Sequence, residues 1–187
     1  GRDSRLVTCG HAGFGFAMRR FHHGDFHDTG ALVALKNHQR ISVCIPTLNE
    51  AETIGSIVET ILRELMERSS LVDEVVVIDS DSSDETREIA AAAGARVFRS
   101  AEIAPEHGTH RGKGENLWKA LLVTSGDLVC YLDGDIANFH SGFVTGLVGP
   151  LLTDSEIDYV KAYYERPLAR GDELHSTGGG RVSEILV

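Results

Sequence analysis

Residues 41–65 read ISVCIPTLNEAETIGSIVETILREL, and this stretch decides the fold. Ile41-Ser42-Val43-Cys44-Ile45 is a short, largely apolar run closed by Pro46, the pattern of a strand buried on both faces. Asn49 then stands where a helix begins, with Glu52 three residues on, as in a capping box. Ile54, Ile57, Val58, Ile61, Leu62 and Leu65 follow at helical spacing, so strand passes to amphipathic helix within one turn.

The same unit recurs downstream. Glu74–Asp79 encloses Val75-Val76-Val77-Ile78, a second buried strand, and Ser82 with Glu85 reads as a second capping box opening a helix that Gly94 stops. Ala95–Arg99 is a third strand. A loop rich in Pro, Gly and His spans Ser100–Gly114, a helix covers Glu115–Thr124, and Leu128–Leu132 is another buried strand. Phe143–Leu152 reads as helix and Tyr159–Tyr164 as strand. Such alternation predicts an α/β fold: a mostly parallel, Rossmann-like sheet with helices on both faces. Upstream, residues 1–40 are glycine-containing and weakly periodic. They are expected to form an N-terminal arm, partly irregular, with a short helix over Thr29–Asn37. Residues 41–187 then form the ligand-binding domain.

Composition narrows the function. The net charge is −10, with six Lys/Arg against three Asp/Glu in residues 1–40 and therefore −13 in the rest. Nucleic-acid binding rests on neutralising phosphates, so no nucleic-acid partner is expected. No apolar run approaches the roughly 20 residues of a membrane span, and no secretory signal pattern opens the chain; the cytoplasm is the expected location. Cys9, Cys44 and Cys130 are too irregularly spaced for a disulfide framework or a zinc site, and Cys44 and Cys130 read as buried strand residues.

Four loops fall at strand ends, where the ligands of parallel sheets bind. After the fourth strand comes Asp133-Gly134-Asp135. Its two carboxylates repel each other unless a cation lies between them, which suits Mg²⁺ or Mn²⁺ bridged to a phosphate, and Gly134 allows close approach of backbone and ligand. A polar Asp-Gly turn is the plain alternative. In the first loop, backbone groups of Pro46, Thr47, Leu48 and Asn49 can meet a base, and Glu50 can accept from a ribose or base N–H; a capped turn is the alternative. No G-x-G-x-x-G follows the first strand, which disfavours a dinucleotide site. In the second loop, Asp79 and the Ser80 hydroxyl can contact a nucleotide, whereas Ser82 suits a helix cap. Arg111-Gly112-Lys113-Gly114 sets two cations before a helix start suited to phosphate. Gly178-Gly179-Gly180-Arg181 sets an arginine fork beside backbone N–H groups, fit for carboxylate or phosphate.

Together these residues resemble the nucleotide-sugar glycosyltransferases with a GT-A fold. ISVCIPTLNEAETIGSIV is similar to their first strand and uridine turn, VVVIDSDSSDETREIAAAAGARV to their second strand and helix, and YLDGDI to their metal-binding strand end. HRGKGENLWKAL, GPLL, VKAYYERPL and TGGGRVSEIL resemble the glucosyl-3-phosphoglycerate synthases, from Arg19 to Val187. The resemblance implies a metal-dependent enzyme that moves glucose from UDP-glucose to the 2-hydroxyl of D-3-phosphoglycerate with retention. By position, Pro46, Thr47, Leu48 and Glu50 would hold the uridine with Ser80, and Lys113 would meet the diphosphate. Asp133 would contact the nucleotide-sugar, Asp135 would ligate the metal, and Gly180, Arg181, Val182 and Ser183 would bind phosphoglycerate. Chains of this family continue beyond GGGRVSEIL, supplying a metal-ligating histidine and further acceptor contacts. The acceptor portion is therefore expected to be truncated here, and apolar surface left uncovered would favour a homo-oligomer. GDP-mannose as donor, glycerate as acceptor, or a nucleotide-binding module without turnover are the alternatives.

Overall fold

The computed structural model describes residues 4–12, 15–108, 110, 112–164, 168–170 and 173–175. In chain order the elements are β1 (Ser4–Ala12), β2 (Gly15–His22), α1 (Thr29–Lys36), β3 (Ile41–Thr47), α2 (Ile54–Ile61), β4 (Glu74–Asp79), α3 (Thr86–Ala92), β5 (Arg96–Arg99), α4 (Lys113–Val123), β6 (Leu128–Tyr131), α5 (Gly142–Thr153), β7 (Ile157–Tyr164), β8 (Leu168–Arg170) and β9 (Glu173–His175). They fall into two compact units, one of residues 28–144 and one of residues 1–27 with 145–187. Among the described residues no helix is long and apolar enough to cross a membrane.

The unit of residues 28–144 is built on a four-stranded sheet in the order β5-β4-β3-β6, with every neighbouring pair parallel. Every residue of β3 and β4 is buried, whereas the edge strands β5 and β6 are partly exposed. Cys44, Val76 and Ile78 pack with Ala120 of α4 on one face, with Phe98, Val129 and Tyr131 at the margin. Val43, Ile45, Val75 and Val77 alternate with them and are buried as well. Burial of both parities explains why these strands read as unbroken apolar runs rather than as alternating ones. Cys130 is also buried, a free thiol like Cys44. The chain adds β4 and β5 on one side of β3 and returns with β6 on the other. The direction of winding thus reverses between β3 and β6, the place where open α/β sheets bind ligands.

The expected helix near residue 30 is α1, capped by Asp28 Oδ1 on the Ala31 N–H at 3.0 Å and ended by Asn37 in the left-handed region. The stretch before it carries β1 and β2, which join β7 in an antiparallel sheet of order β2-β1-β7 within the second unit. β8 and β9 pair as an antiparallel ribbon.

At the amino-terminal edge of the parallel sheet a buried carboxylate ties three elements together. Glu74, 7% exposed, accepts from Ser42 Oγ at 2.6 Å and from Ser125 N and Oγ at 2.5 and 2.9 Å, and pairs with Arg96. Ser42 Oγ accepts in turn from the Gly126 N–H at 2.8 Å, and a Cβ at Gly126 would lie 2.6 Å from the Ser42 nitrogen and 2.8 Å from the Leu128 carbonyl oxygen. Burial raises the Glu74 pKa, but the bonds from Ser42, Ser125 and Arg96 outweigh it and hold the carboxyl down to about 2 against an ordinary 4.5. A depressed folded-state pKa stabilises fully above the unfolded value and loses that stabilisation as pH falls. The window therefore runs from about pH 4.5 down to about 2, and the contribution is about 3 kcal/mol. Unfolding free energies measured across that window are expected to fall more steeply for the natural protein than for Glu74→Gln. Parallel curves would contradict this role for Glu74.

Candidate active site

The carboxyl ends of β3, β4 and β6 lie side by side, and their loops are laced together by side chains. Asp79, fully buried at the end of β4, accepts from Ser82 N at 2.9 Å, from Ser82 Oγ and from Thr47 Oγ1 at 3.3 Å, and pairs with Arg87 at 3.2 Å. Its oxygens are spent on holding the loop, so the Asp79 carboxylate is a structural lock rather than the nucleotide contact expected. Ser82 does not cap α3: its Oγ donates to Asp79 and accepts from the Asn49 N–H at 2.9 Å. Nor does Asn49 cap α2, which begins only at Ile54 with Thr53 as its N-cap. Asn49 sits at φ 56°, and its Oδ1 accepts from the Ser83 N–H at 2.8 Å. Glu50 N donates to Thr86 Oγ1 at 2.8 Å and Ala51 N to Asp84 Oδ2 at 3.2 Å. Both expected capping boxes have thus become cross-links between the β3 and β4 loops. Side chains that could cap their own helix instead satisfy the neighbouring loop's N–H groups.

The acidic loop joins the same assembly. Leu132 N donates to the Cys44 carbonyl at 3.0 Å, carrying the β3–β6 pairing past Tyr131, and Thr53 Oγ1 donates to the Gly134 carbonyl at 2.6 Å. Gly134 is buried against Glu50: a Cβ there would fall 1.8 Å from Glu50 Oε2 and 3.1 Å from Thr47 Cγ2. A larger residue at this position would drive the Glu50 carboxylate from its seat.

These loops and the start of α4 enclose a cavity of about 790 Å³. Of the residues singled out in the sequence, Pro46, Thr47, Leu48, Glu50, Ser80, Asp133 and Asp135 line it. Asn49 is turned to the β4 loop, and Gly134 is the packing point behind Glu50. Lys113 is the first residue of α4, and its side chain lies outside the described residues, as do Arg111 and the whole of Gly180, Arg181, Val182 and Ser183. Asn116 of α4 and Ser100 also line the cavity and carried no motif in the sequence. Asn116 is 3% exposed, and its Nδ2 donates to the Ile78 carbonyl at 3.2 Å and to Ser80 Oγ at 2.7 Å. Only its helical spacing from Lys119 and Ala120, three and four residues on, could have marked it as an inward-facing position.

Beneath the cavity wall, Lys119 is fully buried and pairs with Glu115 at 2.9 Å while donating to the Ser100 carbonyl at 2.8 Å. Trp118 Nε1 donates to Glu115 Oε2 at 2.8 Å. Lys119 and then Trp118 hold the Glu115 carboxyl down to about 2. This ion pair fixes α4 to the segment that supplies Ser100.

Among the described residues no group of three His, Cys, Asp or Glu comes together to hold a metal. Asp133 and Asp135 at one cavity wall nevertheless fit a hard divalent ion, because Mg²⁺ takes one or two carboxylates and fills its remaining positions with water and substrate phosphate.

Residues 42–178 match the description of glycosyl transferase family 2. The glucosyl-3-phosphoglycerate synthase of Petrotoga mobilis is 50% identical over 170 residues, 90% of this chain and 52% of that protein. The Mycobacterium tuberculosis protein of the same name is 46% identical over 160 residues, 84% of this chain and 48% of its own. The chain thus spans about half the length of the curated relatives it matches. The crystal structure of the M. tuberculosis enzyme in complex with Mn²⁺, UDP-glucose and phosphoglyceric acid superposes with a TM-score of 0.62 at 46% identity, over 67% of this chain and 44% of that one. Mannosyl-3-phosphoglycerate synthase from Rubrobacter xylanophilus gives a TM-score of 0.66 at 38% identity, over 70% and 42%.

Proposed function

Since the chain belongs to glycosyl transferase family 2, we propose that its cavity is the donor site of a retaining glucosyltransferase. The donor is UDP-glucose and the acceptor is the 2-hydroxyl of D-3-phosphoglycerate. The observation that carries this reading is the convergence of Glu50, Ser80, Asp133 and Asp135 on one cavity at the β3–β6 switch point. The identity to glucosyl-3-phosphoglycerate synthases, 50% and 46%, supports the choice of substrates.

In this reading Pro46, Thr47, Leu48 and Glu50 hold the uridine with Ser80, and Asp133 contacts the nucleotide-sugar. Asp135 holds Mg²⁺ or Mn²⁺, which when bound neutralises charge on the diphosphate. Lys113, the first residue of α4, would supply a cation to the same phosphates, where charge grows as the bond to the sugar breaks. The acceptor oxygen bonds to the anomeric carbon as the carbon–oxygen bond to the diphosphate breaks, the hydroxyl proton passes to the departing diphosphate oxygen, and UDP is released. Gly180, Arg181, Val182 and Ser183 receive the anionic acceptor, giving an acidic protein a local cationic seat. On this reading the enzyme acts in the cytoplasm, as the sequence leads one to expect.

Incubation with UDP-glucose, Mg²⁺ and 3-phosphoglycerate is expected to release UDP and yield a product heavier than the acceptor by one hexose unit, by mass spectrometry. Faster turnover with GDP-mannose, or with glycerate in place of phosphoglycerate, would overturn the assigned specificity. UDP bound without turnover by the full-length gene product would leave a binding module instead.

A further inference from the structure

The charge around the cavity is one-sided. Glu50, Asp81, Asp133 and Asp135 line it, and among the described residues His110 is the only lining side chain able to carry positive charge. A nucleotide diphosphate is an anion, so the carboxylates repel it and any cationic or donor group at the wall counts. In the donor-site reading a divalent ion offsets the charge at Asp135, after β6. His110 belongs to a different wall, the segment between β5 and α4, two residues before the N-cap Gly112.

His110 is fastened by its backbone and uncommitted at its ring. Its N–H donates to the Glu115 carboxylate, which also holds Lys119 at 2.9 Å and Trp118 Nε1 at 2.8 Å. Lys119 in turn donates to the Ser100 carbonyl at 2.8 Å and the Gly108 carbonyl at 3.5 Å. The segment is thus pinned to α4 at Ser100, Gly108 and His110. The imidazole is exposed to the cavity and makes no hydrogen bond or ion pair among the described residues. Nothing in the fold therefore calls for a histidine here, whereas a ring on a fixed backbone is already placed for a ligand. Neutral imidazole carries one N–H and imidazolium two, and either donates to a phosphate oxygen.

We propose that His110 is a further binding residue of the cavity, its imidazole donating to a phosphate oxygen of the nucleotide diphosphate. This rests on the donor-site reading above, which gives His110 no task. The phosphate of the acceptor offers the same chemistry, and experiment separates the two sources.

Titration calorimetry of the intact protein with UDP in Mg²⁺, for the natural protein and for His110→Ala, His110→Asn and His110→Glu, tests it. His110→Ala is expected to weaken UDP about tenfold, the worth of one hydrogen bond to a charged group at an exposed position. His110→Asn keeps an N–H donor and should lose less, whereas His110→Glu adds a like charge and should lose more. Uridine, followed by ligand-observed NMR, has no phosphate and should bind all four proteins alike. Thermal midpoints should also agree, because the side chain is exposed. UDP affinity that is flat across the series overturns the inference, as does a loss shared equally by UDP and uridine, which would mark a structural role. Weakened 3-phosphoglycerate with unchanged UDP overturns it in favour of the acceptor. Each of these outcomes spares the donor site; a natural protein that binds neither UDP nor uridine removes both.

Discussion

Replacing Asp135 with asparagine is expected to lower glucosyl transfer by about two to three orders of magnitude, the usual loss when one preorganised electrostatic stabiliser of the leaving group is removed. Asp135 lines the cavity beside Asp133 and is the more exposed of the two. A neutral amide keeps the size and the turn but removes the charge that a divalent ion needs, so on the proposed reading both affinity for the metal and stabilisation of the departing diphosphate are expected to fall. UDP affinity should lose its dependence on Mn²⁺: the natural protein is expected to bind UDP more weakly when the metal is chelated, and Asp135→Asn to bind it equally weakly with or without metal. Circular dichroism should be unchanged, because no hydrogen bond of the fold depends on this carboxylate among the described residues. A variant that retains full metal-dependent turnover would exclude Asp135 as the metal ligand.

Lys119→Met is expected to destabilise the fold by about 3 kcal/mol, because it strands a buried carboxylate without its partner. Lys119 is fully buried, and its ammonium is shared between Glu115 at 2.9 Å and the Ser100 carbonyl at 2.8 Å. Methionine fills the volume yet donates nothing. Glu115 keeps the bond from Trp118 Nε1 at 2.8 Å, which is too little to compensate for the missing cation. Adding Glu115→Gln removes the stranded charge and should restore a large part of the loss in chemical denaturation. A single variant within 1 kcal/mol of the natural protein would show that the pair breaks even against an apolar replacement.

The parallel sheet was legible because its central strands are buried on both faces. Ser42 apart, residues 41–46 and 75–78 could scarcely read as anything but core strands. The helix after β3 was equally plain from Ile54, Ile57, Val58 and Ile61, all buried on one side. β1 and β2 were not, although they pair with each other as a local hairpin: Leu6-Val7 and Gly10 in β1 and Arg19-Arg20 in β2 break the apolar–polar alternation by which a strand is read. The capping boxes failed for a different reason. Asn49 and Ser82 have the right chemistry for helix caps, but each loop lies against the other, and their side chains bridge the gap instead. Asn116 is the clearest case of information held only by the fold: an asparagine within a helix carries no signal until β4 sets Ser80 within 2.7 Å of it.

The central claim is that the cavity at the β3–β6 switch point takes a uridine nucleotide with a divalent ion. Crystals of the protein grown with UDP and Mn²⁺ and measured near the manganese absorption edge test it most directly. An anomalous peak at the Asp135 carboxylate, with the diphosphate beside it and the uracil toward Ser80, is the result expected. A manganese peak elsewhere, or UDP bound outside the space between Glu50 and Asn116, would contradict it.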